Sequence, residues 1–308
     1  MGFFKTRRIE GRRGFDLFGI FKYYVPGASG IFWILIMFML GGILGNVVTI
    51  ALNAFAGPEF TIKYGMLLSY PLMFVPVLMF ASAASRRNAL TESGVALDSN
   101  NFGRLHWWGA AIAVSVATVC AAYISEIFTT MLPAMPEWLE NALKQMTDGP
   151  LWSTLICVSV FAPLFEEWLC RGMVLRGLLQ KTSPAVAIIV SALFFAVIHL
   201  NPWQAVPAFI LGLLFGLVYY KTGSLKLTML MHCVNNTLST VLSKIPSFEE
   251  AESFMDVMSP AAYWSVFAVC AVVLSAVVAY FILLYPVKEG QKSNCDVIPA
   301  KDWSTEEL

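Results

Sequence analysis

Long apolar runs separated by short polar breaks dominate this chain. A helix needs about 20 apolar residues, within about 17–25, to cross a bilayer's hydrocarbon core. Eight runs come near that length: 30–55, 64–84, 106–128, 151–175, 184–200, 204–221, 225–243 and 261–285. The first two and the last are almost uniformly apolar and read as lipid-facing helices. The seventh is the most polar, carrying His232, Asn235 and Asn236 with several Ser and Thr. Such a segment is expected to be sheltered by neighbours or partly re-entrant. The connections 129–150 and 244–260 are long enough for one short surface helix each. The expected fold is all-α, a polytopic transmembrane helical bundle of about eight spans with an intramembrane polar active site.

Composition agrees with that pattern. The 308 residues are 58% hydrophobic and only 13% charged, with mean hydropathy +0.69. Soluble domains carry about 25% charged residues, so the deficit excludes a soluble domain of this size. The formal net charge of zero argues against nucleic acid as a partner, and the position of the charges is more informative. Basic residues gather at Lys5, Arg7, Arg8, Arg12 and Arg13, at Arg86, Arg87 and Arg104, at Arg176 and Lys181, at Lys221 and Lys226, and in the tail at Lys288, Lys292 and Lys301. The alternate connections hold few bases and several acids. This asymmetry predicts an integral, multi-pass membrane protein with both termini cytoplasmic.

Five domain segments follow: a basic amphipathic lead-in at 1–29 facing lipid headgroups, N-terminal transmembrane helices and a loop at 30–150, a catalytic core at 151–243, a loop and last helix at 244–287, and a cytoplasmic tail at 288–308. Cys120, Cys157, Cys170, Cys233, Cys270 and Cys295 show no metal-knuckle or redox spacing and read as reduced packing residues.

The chemistry is concentrated in a few polar residues inside apolar runs. A charge at mid-bilayer costs about 2.5–3.5 kcal/mol on insertion scales, yet Glu166 and Glu167 stand together in the fourth run. Helical residues advance about 100° each, so the two carboxylates face different ways. Arg171 lies four positions after Glu167, in the favourable acid-before-base order. Glu167 can thus be neutralised locally while Glu166 stays available. The chain has three histidines. His199 follows Phe195 by four residues, and His232 precedes Asn236 by four, so each pair shares a helix face. Buried on separate spans, these groups are unfavourable unless they meet.

The three elements, Glu166-Glu167-x-x-x-Arg171, Phe195-x-x-x-His199 and His232-x-x-x-Asn236, resemble the CPBP family in content and order. These are intramembrane proteases related to type II CAAX prenyl endopeptidases and bacteriocin-processing or immunity proteins. The resemblance covers roughly 155–243, including the run Gly216 to Leu225, and no position of the pattern is missing. It implies that Glu166 is the catalytic carboxylate and that His199 positions or activates water. It further implies that His232 and Asn236 hold the oxyanion, or that His232 joins a metal site. Glu167, Arg171 and Phe195 serve as structural support.

On this reading a membrane-embedded or lipidated, CAAX-like peptide is the substrate, and membrane lipids and that substrate are the partners. The preferred chemistry requires no cofactor: Glu166 and His199 activate water, and His232 and Asn236 donate to the oxyanion. The alternative uses Glu166, His199 and His232 as a His₂Glu set for zinc or another divalent metal. A non-catalytic membrane scaffold or bacteriocin-immunity partner of the same fold is the competing function, and a proton-coupled transporter is a third. No His-Glu-x-x-His, Gly-x-Ser-x-Gly or intramembrane aspartate pair offers a rival hydrolase site. Straight helices, however, put His232 closer to the cytoplasmic side than His199, so one of the two segments must not run straight through.

Overall fold

The computed structural model describes residues 18–92, 94–99, 102–147, 149–249, 251 and 253–284. The basic cluster from Lys5 to Arg13, Cys295 and the tail 288–308 lie outside the described residues. No strand occurs among the described residues, and the architecture is an all-α helical bundle. Its helices are α1 (Ala28–Ala56), α2 (Pro58–Asn88), α3 (His106–Thr129), α4 (Glu137–Thr147), α5 (Leu151–Leu179), α6 (Pro184–Val197), α7 (Pro202–Thr222), α8 (Leu225–Leu242) and α9 (Pro260–Leu283). One-turn helices at Pro246–Glu249 and Phe254–Val257 fill the connection before α9.

Among the described residues six helices are long and apolar enough to cross a membrane: α1, α2, α3 with the turn before it, α5, α7 and α9. By length and composition that is two fewer than the eight apolar runs. The sixth and eighth helices of the list explain why. α8 has the expected extent but carries too many polar residues to count by composition. α6 is only 14 residues long, about 21 Å at 1.5 Å per residue, against a hydrocarbon core of about 30 Å.

The early stop of α6 has a local cause. Leu200 adopts a left-handed backbone (φ 58°), and Asn201 accepts from Gln204 N at 2.9 Å to cap α7, with Pro202 in its first turn. The apolar run thus turns back at 198–201, and α6 and α7 form a close antiparallel hairpin. A Cβ on Gly212 would lie 3.0 Å from the Ala192 Cβ, so a hydrogen is the largest group that this crossing admits without adjustment. His199 sits in this turn, and the Phe195 ring meets both His199 and His232.

α5 is the centre of the bundle. From Trp168 to Leu178 every residue is buried, and the core packed around this half includes Phe21, Phe38, Phe74, Val77, Phe195 and Tyr219. A second core joins α3, α7 and α8 through Val114, Leu214, Phe215, Val218 and Met231. Within residues 18–24, Phe21 and Tyr24 are buried, and the Phe21 ring packs on Trp168 at 4.9 Å. Arg176, fully buried on α5, secures that segment. Its guanidinium donates to the carbonyls of Gly172 (2.6 Å), Val95 (2.5 Å) and Tyr24 (2.6 Å). Cys120, Cys157, Cys170, Cys233 and Cys270 are free thiols.

Candidate active site

The helical ladder of α5 is interrupted twice, by π-helical turns at Cys157–Phe161 and Trp168–Leu175. Between them lies the regular segment Ala162–Glu167, with Pro163 in its first turn. Proline cannot donate into the ladder, and π turns inside α-helices often accompany functional sites. Glu166 and Glu167 end this short segment and take different surroundings.

Glu167 is fully buried. Its Oε1 accepts from Arg171 Nη1 at 2.7 Å and lies 3.0 Å from His232 Nδ1. Arg171, also fully buried, has its guanidinium 4.5 Å from the Phe195 ring centroid and 5.1 Å from that of Phe215. Its Nη2 donates to Gly212 O at 3.2 Å. Two aromatic faces and a carbonyl therefore add to the cation's environment, and its Nε is buried without a hydrogen-bond partner. A carboxylate oxygen only accepts, so in its contact with Glu167 the His232 Nδ1 carries the shared hydrogen. This assigns the tautomer and leaves His232 Nε2 facing away from Glu167.

Glu166 is half-buried, and its partner comes from α2. The Tyr70 hydroxyl donates to Glu166 Oε1, while Oε2 is buried with no hydrogen-bond partner. A buried acceptor without a protein partner is a place for water. Among the described residues no hydrogen bond joins Glu166 to either His199 or His232.

His199, half-buried in the α6–α7 turn, has its Nδ1 2.7 Å from Phe195 O. A carbonyl only accepts, so Nδ1 donates and the neutral ring presents a lone pair at Nε2. Asn201 Nδ2 donates to His199 O at 2.9 Å, which ties the turn to the cap of α7. The Phe195 ring stands edge-on to both imidazoles, with centroids 5.0 Å from His199 and 5.4 Å from His232. Asn236 Nδ2 donates to Val158 O on α5 at 2.7 Å, and Asn235 Nδ2 donates to Asn236 Oδ1 at 3.1 Å, orienting that amide.

Direct contacts therefore join Glu167, Arg171, Phe195 and His232. His199 is connected to them through Phe195, Asn236 is held against α5 upstream of the glutamates, and Glu166 is held by Tyr70. Among the described residues no three His, Cys, Asp or Glu side chains are grouped so that they could hold a metal ion. The set Glu166, His199 and His232 does not form a ready-made metal cradle in this conformation.

Residues 148–238 match the family described as Type II CAAX prenyl endopeptidase Rce1-like. This match agrees with the resemblance carried by the three motifs. This Rce1-like segment runs from the start of α5 into α8 and contains all seven residues singled out from the sequence. No curated protein and no solved structure matches the chain. Tyr70 lies outside the Rce1-like segment, and the sequence reading missed it. The only local signal was a hydroxyl in an otherwise apolar run, and no spacing rule connects it to a carboxylate 96 residues away.

Proposed function

We propose that this protein is a glutamate-dependent intramembrane endopeptidase that hydrolyses a peptide bond in a membrane-embedded or lipidated, CAAX-like substrate. The observation that carries this reading is the division of labour between adjacent carboxylates. Glu167 is fully buried and paired with the Arg171 cation and His232, whereas Glu166 is half-buried and takes the Tyr70 hydroxyl instead of a cation; each acid keeps a buried Oε2 without a hydrogen-bond partner. The charge of Glu167 is already matched by Arg171, so Glu166 is the acid left for proton transfer.

Glu166 Oε2 takes a proton from water as the water oxygen attacks the substrate carbonyl carbon. His199 Nε2, its other nitrogen already donating, accepts a hydrogen bond from the same water. The oxyanion that forms is met by Asn236, which has a second amide N–H beyond the one bonded to Val158 O. His232 can add a donor from Nε2 in its imidazolium form, with Nδ1 still donating to Glu167. Glu166 then returns the proton to the nitrogen of the breaking C–N bond, giving a free amine and a carboxylic acid. The family description, which names an endopeptidase acting on CAAX prenyl substrates, supports the substrate class. The distribution of basic residues supports cytoplasmic termini.

The test is cleavage by the purified protein in lipid nanodiscs of a fluorogenic peptide ending in a CAAX-type sequence, with and without a lipid on its cysteine. Wild type is expected to cleave, and Glu166→Gln to lose about a thousandfold or more in kcat. An active Glu166→Gln protein refutes the reading. A folded wild type that cleaves neither peptide, and whose biological effect survives Glu166→Gln, points to the non-catalytic scaffold.

A further inference from the structure

We propose that Tyr70 is a positioning residue for the catalytic base: its hydroxyl occupies Glu166 Oε1 and leaves Oε2 as the oxygen that takes the proton from water. The inference rests on the endopeptidase reading above and extends it to α2, a helix outside the matched segment 148–238.

The two oxygens of Glu166 are unequal. Oε1 accepts from the Tyr70 hydroxyl, and Oε2 is buried without a partner. A carboxylate oxygen that already accepts a strong donor is the weaker base of the two. The Tyr70 bond therefore selects which oxygen does the chemistry and holds the side chain in one rotamer. An unheld glutamate would sample several rotamers, and a misplaced base loses the near-attack geometry on which the rate depends.

The position of Tyr70 does not depend on the hydrogen bond. Its ring packs against Phe74 at 5.6 Å, and Phe74 lies at a break in α2 and is buried. Phe74 stacks on Phe165 at 4.9 Å with a 16° interplanar angle, and meets Phe38 of α1 at 5.5 Å. Phe165 immediately precedes Glu166. α2 thus grips α5 twice at this level, through a ring stack on one residue and a hydroxyl on the next. Replacing the hydroxyl by hydrogen leaves the ring contacts in place, so the two roles are separable.

The experiment is the same nanodisc cleavage assay with Tyr70→Phe, Glu166→Gln, Glu166→Asp and the double variant Tyr70→Phe/Glu166→Asp. A hydrogen bond to a charged group contributes about 1.5–3 kcal/mol, which corresponds to a loss of about 10–100-fold in kcat. The expected result for Tyr70→Phe is that loss with KM within about twofold of wild type. In the Glu166→Asp background, where the shortened carboxylate has already left the hydroxyl, Tyr70→Phe has no further effect. Tyr70→Phe at wild-type kcat, with Glu166→Gln inactive, overturns the role of Tyr70 and leaves the endopeptidase reading intact. A fully active Glu166→Gln protein overturns both. Equal losses from Tyr70→Phe in the two backgrounds also overturn it, because the hydroxyl would then act on something other than Glu166. If Tyr70→Phe does not purify folded, 3-fluorotyrosine at position 70 keeps the hydroxyl and alters its donor strength. A severalfold change in kcat is expected, and an unchanged kcat overturns the proposal.

Discussion

His232 Nδ1 lies 3.0 Å from Glu167 Oε1, so the second acid of the pair on α5 orients an imidazole carried by α8. Arg171 shares that oxygen at 2.7 Å. One buried carboxylate therefore ties together an internal ion pair and a candidate site residue from another helix.

Removing that carboxylate leaves a buried guanidinium without its counter-charge. Breaking a buried pair by deleting one partner costs about 3–5 kcal/mol. Glu167→Ala is expected to lower the thermal unfolding midpoint in detergent strongly, and Arg171→Leu alone to do the same. The double variant is expected to recover part of the loss, because no unpaired charge remains. A cycle in which the two losses simply add would show that the pair is not coupled.

Asn236 holds Val158 O with one amide hydrogen and, on the proposed function, the oxyanion with the other. Deleting one such donor costs about 10²–10³ in rate. Asn236→Ala is expected to lose that much in kcat. Asn235→Ala, which removes only the donor that orients the amide at 3.1 Å, is expected to lose less. A larger effect at Asn235 than at Asn236 would contradict the assignment.

The α6–α7 crossing is sensitive to volume at Gly212. A Cβ there meets Ala192 at 3.0 Å and Arg171 Nη2 at 3.5 Å, and overpacking a tight contact costs about 1–3 kcal/mol. Gly212→Val is expected to destabilise within that range and to reduce cleavage, since the carbonyl that receives Arg171 Nη2 moves with the backbone. Circular dichroism melts alongside the cleavage assay separate the two effects.

Arg176 gathers three chain segments by donating to backbone carbonyls at Gly172, Val95 and Tyr24. A lysine offers a point charge with three donors and cannot reproduce the planar fork. Arg176→Lys is expected to release residues 18–24 from α5 and to speed proteolytic nicking there, leaving the α6–α8 region protected. Mass spectrometry of the early fragments would check this.

The preferred chemistry passes through no metal. Dialysis against a chelator is expected to leave cleavage at its starting rate, and added zinc is expected not to raise it. Loss of activity on chelation with recovery on adding one divalent metal would transfer the mechanism to the His₂Glu alternative.

Features that depend on neighbours in sequence were legible beforehand. Run length and charge deficit led to an all-α membrane bundle, since crossing hydrocarbon requires each backbone polar group to be satisfied within its own helix. The i, i+4 spacing of Glu167 and Arg171 predicted their pairing for the same local reason. The break between the fifth and sixth runs, read at 201–203, was legible, but its bounds shift: the helix stops at Val197 and the next starts at Pro202, where Asn201 caps it by accepting from Gln204 N.

By itself the sequence determined that the chain is a helical membrane bundle and which few polar side chains are too expensive to bury idly. Those properties follow from composition and helical period, which are written within twenty residues of one another. Only the tertiary structure decided how those side chains pair: Tyr70 with Glu166, His232 with Glu167, Asn236 with the backbone of α5. These contacts join helices far apart in the chain, and the packing of whole faces, not any local spacing, sets which atoms meet.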